Sequence, residues 1–208
     1  QALVMGLFAV INIVAVEATA EPTPRAVFEA SARLPKFPLI GDRAPEFVAE
    51  TTHGEMNFPA DYAGKWVVLF SHPADFTPVC TSEFVLFSAQ AKALKNINTE
   101  LIGLSVDTVD SHLAWKKSIK DKITYSGVSQ TQVPFPIIAD HDQEVAWAYG
   151  MLHPTASTTH TIRAVFIIDP QGIIRTSLYY PPEVGRNIDE IKRTLIALQT
   201  SDTYRVAT

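Results

Sequence analysis

Lys65-Trp66-Val67-Val68-Leu69-Phe70-Ser71-His72-Pro73-Ala74-Asp75-Phe76-Thr77-Pro78-Val79-Cys80-Thr81-Ser82-Glu83 is the stretch from which the fold is read. Its apolar residues are continuous rather than alternating, which predicts a strand over Lys65–Ser71 buried on both faces. Past Cys80 the period changes. Phe84, Phe87, Ala91 and Leu94 recur at helical spacing and predict a helix over Cys80–Lys95, with Glu83 in the first turn, where the dipole favours an acid. Pro73 and Pro78 punctuate the loop between them and limit its freedom. The only cysteine of the chain sits where loop meets helix.

Outward from this junction, strand and helix signals alternate. Upstream, residues 46–50 and 56–58 flank His53-Gly54, a hairpin turn. Downstream, Leu101–Val106 reads as a second central strand and Asp110–Lys120 as an amphipathic helix carrying Leu113, Trp115 and Ile119, with Asp110 as its cap. Residues 135–139 and a helical stretch Asp142–Tyr149 follow. Ala164–Asp169 is a third buried strand, turned by Pro170-Gln171-Gly172 into a hairpin partner over 173–180. A helix over Asn187–Gln199 closes the chain, with Ile188, Ile191, Leu195 and Leu198 on one face. This order predicts a three-layer α/β fold, a mixed central sheet with helices on both faces.

Composition bounds the function classes. In 208 residues, 47% hydrophobic and 19% charged content predict a globular chain, and a net charge of -5 gives no footprint for nucleic acid. One cysteine excludes an intrachain disulfide, a Cys-x-x-Cys pair and a cysteine-based zinc site within these residues. The six histidines show no tight ligand spacing, so neither a metal nor a cofactor is expected. Residues 2–16 are apolar except for Gly6 and Asn12, and Ala18-Thr19-Ala20 follows, as in a secretory signal. No basic residue precedes the run, and fifteen helical residues span about 22 Å, short of a hydrocarbon core of roughly 30 Å. The preferred expectation for residues 1–38 is an uncleaved apolar helix facing a membrane, then a helix packed on a partner, then a cleavable signal. A membrane-associated, periplasmic or organellar setting goes with the first, a cytoplasmic one with the second. Residues 39–208 form the expected domain.

A thiol reacts as its thiolate, which needs positive electrostatics, and the first turn of a helix supplies unpaired amides and the positive end of the dipole. Thr77, three residues before Cys80, can turn its hydroxyl toward the sulfur. From spacing alone, however, a lone cysteine beside apolar residues is more often a buried small hydrophobe.

Wider context reverses that balance. Pro73-x-x-x-Thr77-x-x-Cys80 matches the peroxiredoxin signature, and the string from Ser71 to Glu83 resembles the one-cysteine-type subfamily. The likeness continues through residues 101–107, His112-x-x-Trp115, residues 134–140, 161–169 and 185–191, while the first 38 residues find no counterpart. The resemblance implies a thioredoxin-like fold and a thiol-dependent peroxidase that reduces hydrogen peroxide and organic hydroperoxides through a sulfenic acid. It implies that Cys80 is the peroxidatic cysteine, that Thr77 hydrogen-bonds sulfur and peroxide, and that Arg163 holds the thiolate. It places Pro73 as a shield and His72 near the sulfur, where a plain backbone hydrogen bond is the competing role. Glu83 and Arg186 match positions around the site and compete with helix-end charges, and Trp115 is expected in the core or at an interface.

Expected partners are an external thiol reductant of the thioredoxin, glutaredoxin or glutathione type and a second copy in a homodimer or larger ring, with membrane contact through residues 2–16. The alternative function is a membrane-tethered or complex-bound structural or chaperone-like subunit that keeps the fold. Some relatives carry a Gly-x-Ser-x-Gly phospholipase site before the central strand; here Ala63-Gly64-Lys65-Trp66 has no serine, and that activity is rejected. Relatives also continue into a carboxy-terminal extension, so a resolving cysteine there would lie past Thr208.

Overall fold

The computed structural model describes residues 37–157 and 159–208, and residues 37–208 form one compact unit. The apolar run 2–16, like the rest of the segment before residue 37, lies outside the described residues. Among the described residues, no helix is long and apolar enough to cross a membrane.

The first elements of the described residues form a hairpin, β1 (Phe47–Thr51) and β2 (Gly54–Phe58), turned at the expected His53-Gly54. Next come β3 (Trp66–Ser71), α1 (Pro78–Lys95), β4 (Thr99–Ser105) and α2 (Val109–Lys122). A two-residue-per-strand hairpin, β5 (Thr124–Tyr125) and β6 (Val128–Ser129), precedes β7 (Ile137–Ala139) and α3 (Glu144–Ala148). The chain finishes with β8 (Arg163–Ile168), β9 (Ile174–Tyr180) and α4 (Ile188–Tyr204). Seven strands form one sheet in the order β2-β1-β7-β4-β3-β8-β9. β3 pairs in parallel with β4, and β4 with β7, while β8 runs antiparallel to β3 and β9 antiparallel to β8. This is the thioredoxin-like mixed α/β fold.

β3 is an interior strand flanked by β4 and β8, and all six of its residues are buried. Val68 and Phe70 face the layer built from α1, α2 and α4, where Phe84, Phe87, Trp115, Ile119, Ile191 and Leu195 pack. Val67 and Leu69 face the opposite layer with Phe58, Val145 and Tyr149. Gly103 of β4 lets α1 come close: a Cβ there would lie 3.2 Å from Phe84 Cζ and 3.6 Å from Phe70 Cζ.

Three local expectations are corrected. Helix α1 starts at Pro78, because proline is tolerated at the first helical position where its missing N–H costs nothing. Glu83 is therefore past the first turn and buried at 2% exposure rather than set against the dipole. The cap of α2 is Thr108, whose hydroxyl oxygen accepts from Ser111 N at 3.3 Å in extended backbone, and Asp110 lies inside the first turn.

Candidate active site

Strand β3 ends at Ser71, whose hydroxyl donates to Ile162 O at 2.7 Å and accepts from Ala164 N at 3.0 Å, pinning the strand end to β8. The loop then turns through Phe76, an exposed aromatic at φ +58°, a conformation costly for a bulky side chain. Thr77 follows as the N-cap of α1 in extended backbone. Its hydroxyl donates to Ala74 O at 2.9 Å and accepts from no helix amide, leaving the oxygen lone pairs free. The first helical hydrogen bond is Thr81 N to Thr77 O, so the amides of Val79 and Cys80 precede it and have no intrahelical partner. Cys80 is the third residue of α1 and fully buried.

Opposite it, the first residue of β8 projects into the same space. Arg163 Nη1 lies 3.4 Å from Cys80 Sγ and 2.7 Å from Glu83 Oε2, while its Nε donates to Pro182 O at 2.8 Å. Arg186 grips the other side of Glu83 with a fork: Nε to Oε1 at 2.9 Å and Nη2 to Oε2 at 2.7 Å, with its backbone N on Oε1 at 2.7 Å. Its Nη1 donates to Ser71 O and Ala164 O at 2.8 and 2.9 Å, tying the loop before α4 to both central strands. Burial opposes ionisation of Glu83, but the Arg186 charge and its hydrogen bonds, with Arg163 beyond, hold it below the usual carboxylate range. Two guanidinium groups and one carboxylate, all buried, leave one positive charge unmatched beside the sulfur.

The sequence-predicted residues Cys80, Arg163, Glu83 and Arg186 are thus one bonded cluster, and Thr77 and Pro73 flank it in the half-buried loop. Trp115 is in the core, its Nε1 donating to Thr81 Oγ1 at 3.2 Å and its face stacked on His72 at 5.0 Å. His72 meets a carboxylate rather than the backbone: its Nε2 lies 3.0 Å from Asp75 Oδ1. Burial holds this imidazole below the ordinary histidine value, against the raising pull of Asp75.

Asp75 and His112 carry no site role in the sequence reading, although His112 belongs to a matching motif. Scattered histidines gave no tight spacing, yet the fold brings His72 and His112 onto one carboxylate, with ligand-type atoms within 4.8 Å of one another. The available signal was His112 on the same inward stripe of α2 as Trp115 and Ile119, a polar residue placed where core is due.

A thioredoxin-like sheet that delivers a buried cysteine to a helix start beneath an arginine defines a thiol-redox protein. The family model described as the AhpC/TSA family matches residues 40–177. A peroxiredoxin of Methanosarcina mazei is 57% identical over 172 residues, 83% of this chain and 78% of the relative. One of Aquifex aeolicus is 56% identical over 172 residues, 83% and 75% of the two chains. Among solved structures, peroxiredoxin 6 of Arenicola marina superposes with a TM-score of 0.75 at 38% identity, covering 82% of this chain and 77% of that one. A yeast mitochondrial 1-Cys peroxiredoxin, described for thiol resolution through glutathione and thioredoxin systems, gives 0.73 at 42% identity, over 82% and 80%. The chain belongs to the AhpC/TSA family; it is a peroxiredoxin, a thiol peroxidase, and its single cysteine fits the one-cysteine type.

Proposed function

We propose that Cys80 is the peroxidatic residue and that it reduces hydrogen peroxide and organic hydroperoxides. The observation that carries this reading is Arg163 Nη1 at 3.4 Å from Cys80 Sγ, beneath a charge cluster with a net positive remainder. The thiolate is the attacking form, and an unmatched buried cation is its natural counter-charge. Sulfur donates an electron pair to the nearer peroxide oxygen, the O–O bond breaks, and the distal oxygen leaves as hydroxide or alkoxide and takes up a proton. Sulfur ends as a sulfenic acid. Arg163 and the unpaired amides at the start of α1 meet the charge that develops on oxygen. Thr77 offers lone pairs to a peroxide O–H, Pro73 screens the sulfur from bulk water, and His72 borders the loop. Glu83 and Arg186 act through Arg163 as positioning residues.

One external thiol then displaces the sulfenic hydroxyl as water, and a second releases Cys80 from the mixed disulfide. A reductant of the thioredoxin, glutaredoxin or glutathione type fits this step, supported by the description of the yeast neighbour. A homodimer or larger ring goes with the same reading, supported by β9, an end strand of the sheet. Stopped-flow consumption of hydrogen peroxide tests the core of the proposal. Wild type is expected to outpace Cys80→Ser by orders of magnitude, and equal rates would end it.

A further inference from the structure

Three elements converge under the active-site loop. The loop after β3 contributes His72 and Asp75, helix α2 contributes Ser111 and His112, and β7 contributes the Ile138 carbonyl. Asp75 receives all of its neighbours as donors. His72 Nε2 stands 3.0 Å from Oδ1, His112 Nδ1 stands 3.0 and 2.9 Å from the two oxygens, and Ser111 Oγ donates to Oδ2 at 2.7 Å. The far side of His112 faces another pure acceptor, with Nε2 at 3.1 Å from Ile138 O. Both imidazoles are fully buried. Asp107, from the connection between β4 and α2, accepts from Asp75 N at 2.9 Å and from Ser105 Oγ at 2.7 Å, and is the further acid facing the row. From α1 the row meets Phe84, an uncharged ring 4.8 Å from His72.

A carbonyl oxygen cannot donate, and a bare ring nitrogen pointed at one sets two lone pairs against each other. Both nitrogens of His112 therefore require protons if Asp75 is a carboxylate. Within salt-bridge distance, Asp75 pairs only with histidines among the described residues, so no other cation matches its buried charge. Burial pulls Asp75 upward, but hydrogen bonds from His112 and His72 hold it well below the usual carboxylate range. We propose that His112 is a doubly protonated imidazolium paired with Asp75, and that the pair is a positioning device locking His72 as its Nε2–H tautomer with a bare Nδ1. His72 Nδ1 is buried without a hydrogen-bond partner, the state a reserved acceptor would show. The atoms resemble a metal ligand set, but each nitrogen facing Asp75 spends its proton there, so the row is closed by hydrogen bonds.

The consequence for catalysis rests on the reading of Cys80 as the reacting sulfur. Hydrogen peroxide and the sulfenic acid both carry O–H donors. A buried Nδ1 with no partner of its own offers such a donor an acceptor, and the other tautomer would present a competing N–H there. His112 and Asp75 act only through His72, as the outer partners of a ligating or catalytic imidazole do.

Long-range proton–nitrogen correlation spectra of the reduced, 15N-labelled protein test this between about pH 6 and about pH 9. Both His112 nitrogens are expected to read as protonated, while His72 shows one protonated and one bare nitrogen. A bare nitrogen at His112, or a proton on His72 Nδ1, would overturn the proposal. In a second arm, Asp75→Asn is expected to create a bare nitrogen at His112 and to slow peroxide consumption by about 10–100-fold. A variant that folds and keeps the wild-type rate removes the positioning role. If it does not fold, the wild-type spectra still decide. Those spectra need no turnover, so a failed Cys80→Ser test and a failed histidine test are distinguishable.

Discussion

Glu83 receives Arg163 from β8 and Arg186 from the loop before α4, and nearly all of its oxygen lone pairs are engaged. Replacing it with glutamine keeps the shape but removes the one carboxylate between two buried cations. Glu83→Gln is expected to lose about 3–5 kcal/mol of stability, the range for stripping one partner from a buried ion pair. Urea denaturation measures it, and a loss below about 1 kcal/mol would mean the guanidinium groups are matched elsewhere. At this scale Cys80, Thr77 and Arg163 were legible because motif spacing fixes residue types at set offsets. Asp75 and His112 were not, since which acid meets which imidazole is decided by strands and helices 37 positions apart in the chain.

Helix α1 seats its inner face through Phe84, which fills the gap over Gly103 and touches Phe70, Trp115 and Phe135. A methyl at Gly103 would press on a ring hemmed in on every side by other buried rings. Gly103→Ala is expected to destabilise by about 1–3 kcal/mol, the cost of overpacking a filled core. A melting temperature equal to or above wild type would show that α1 can slide. The period of Phe84, Phe87 and Leu94 revealed this helix, whereas its first residues were hidden because a proline reads as a breaker until its N1 position is known. The β5–β6 hairpin went unread although Ser126-Gly127, both at positive φ, carry the turn signal. Its strands are too short to show a period.

For the whole molecule, opposing titrations shape stability. Asp75 and Glu83 have native values below their ordinary 3.8 and 4.5, so their contribution is present above those values and lost as pH falls further. Asp140 runs the other way. Burial, with Asp142 nearby, pushes it up to about 6 although it accepts from Val145 N and Ala146 N at the start of α3. Its contribution is present below 3.8 and lost as pH rises through about 6. Asp140→Asn keeps an oxygen for both amides and removes the titration. Its melting temperature relative to wild type is therefore expected to be higher at about pH 7 than at about pH 4, and a constant difference would contradict this. The alternation of buried runs and helical periods made the layered fold legible. The place of the β1–β2 hairpin beside β7 was not, because strand order is a tertiary choice that periodicity does not encode.

The charge balance around Glu83 also gives the site a direction in time. In the proposed cycle, a thiolate at Cys80 makes the buried group of Cys80, Arg163, Glu83 and Arg186 neutral as a whole, and conversion of the sulfur to an uncharged sulfenic acid would leave the same walls with a net positive charge. On that proposal the oxidised site would attract anions, and the anion that restores neutrality while delivering electrons would be an incoming thiolate. Reductants that ionise readily gain an entry advantage over equally strong ones that arrive as neutral thiols, and added salt erodes it.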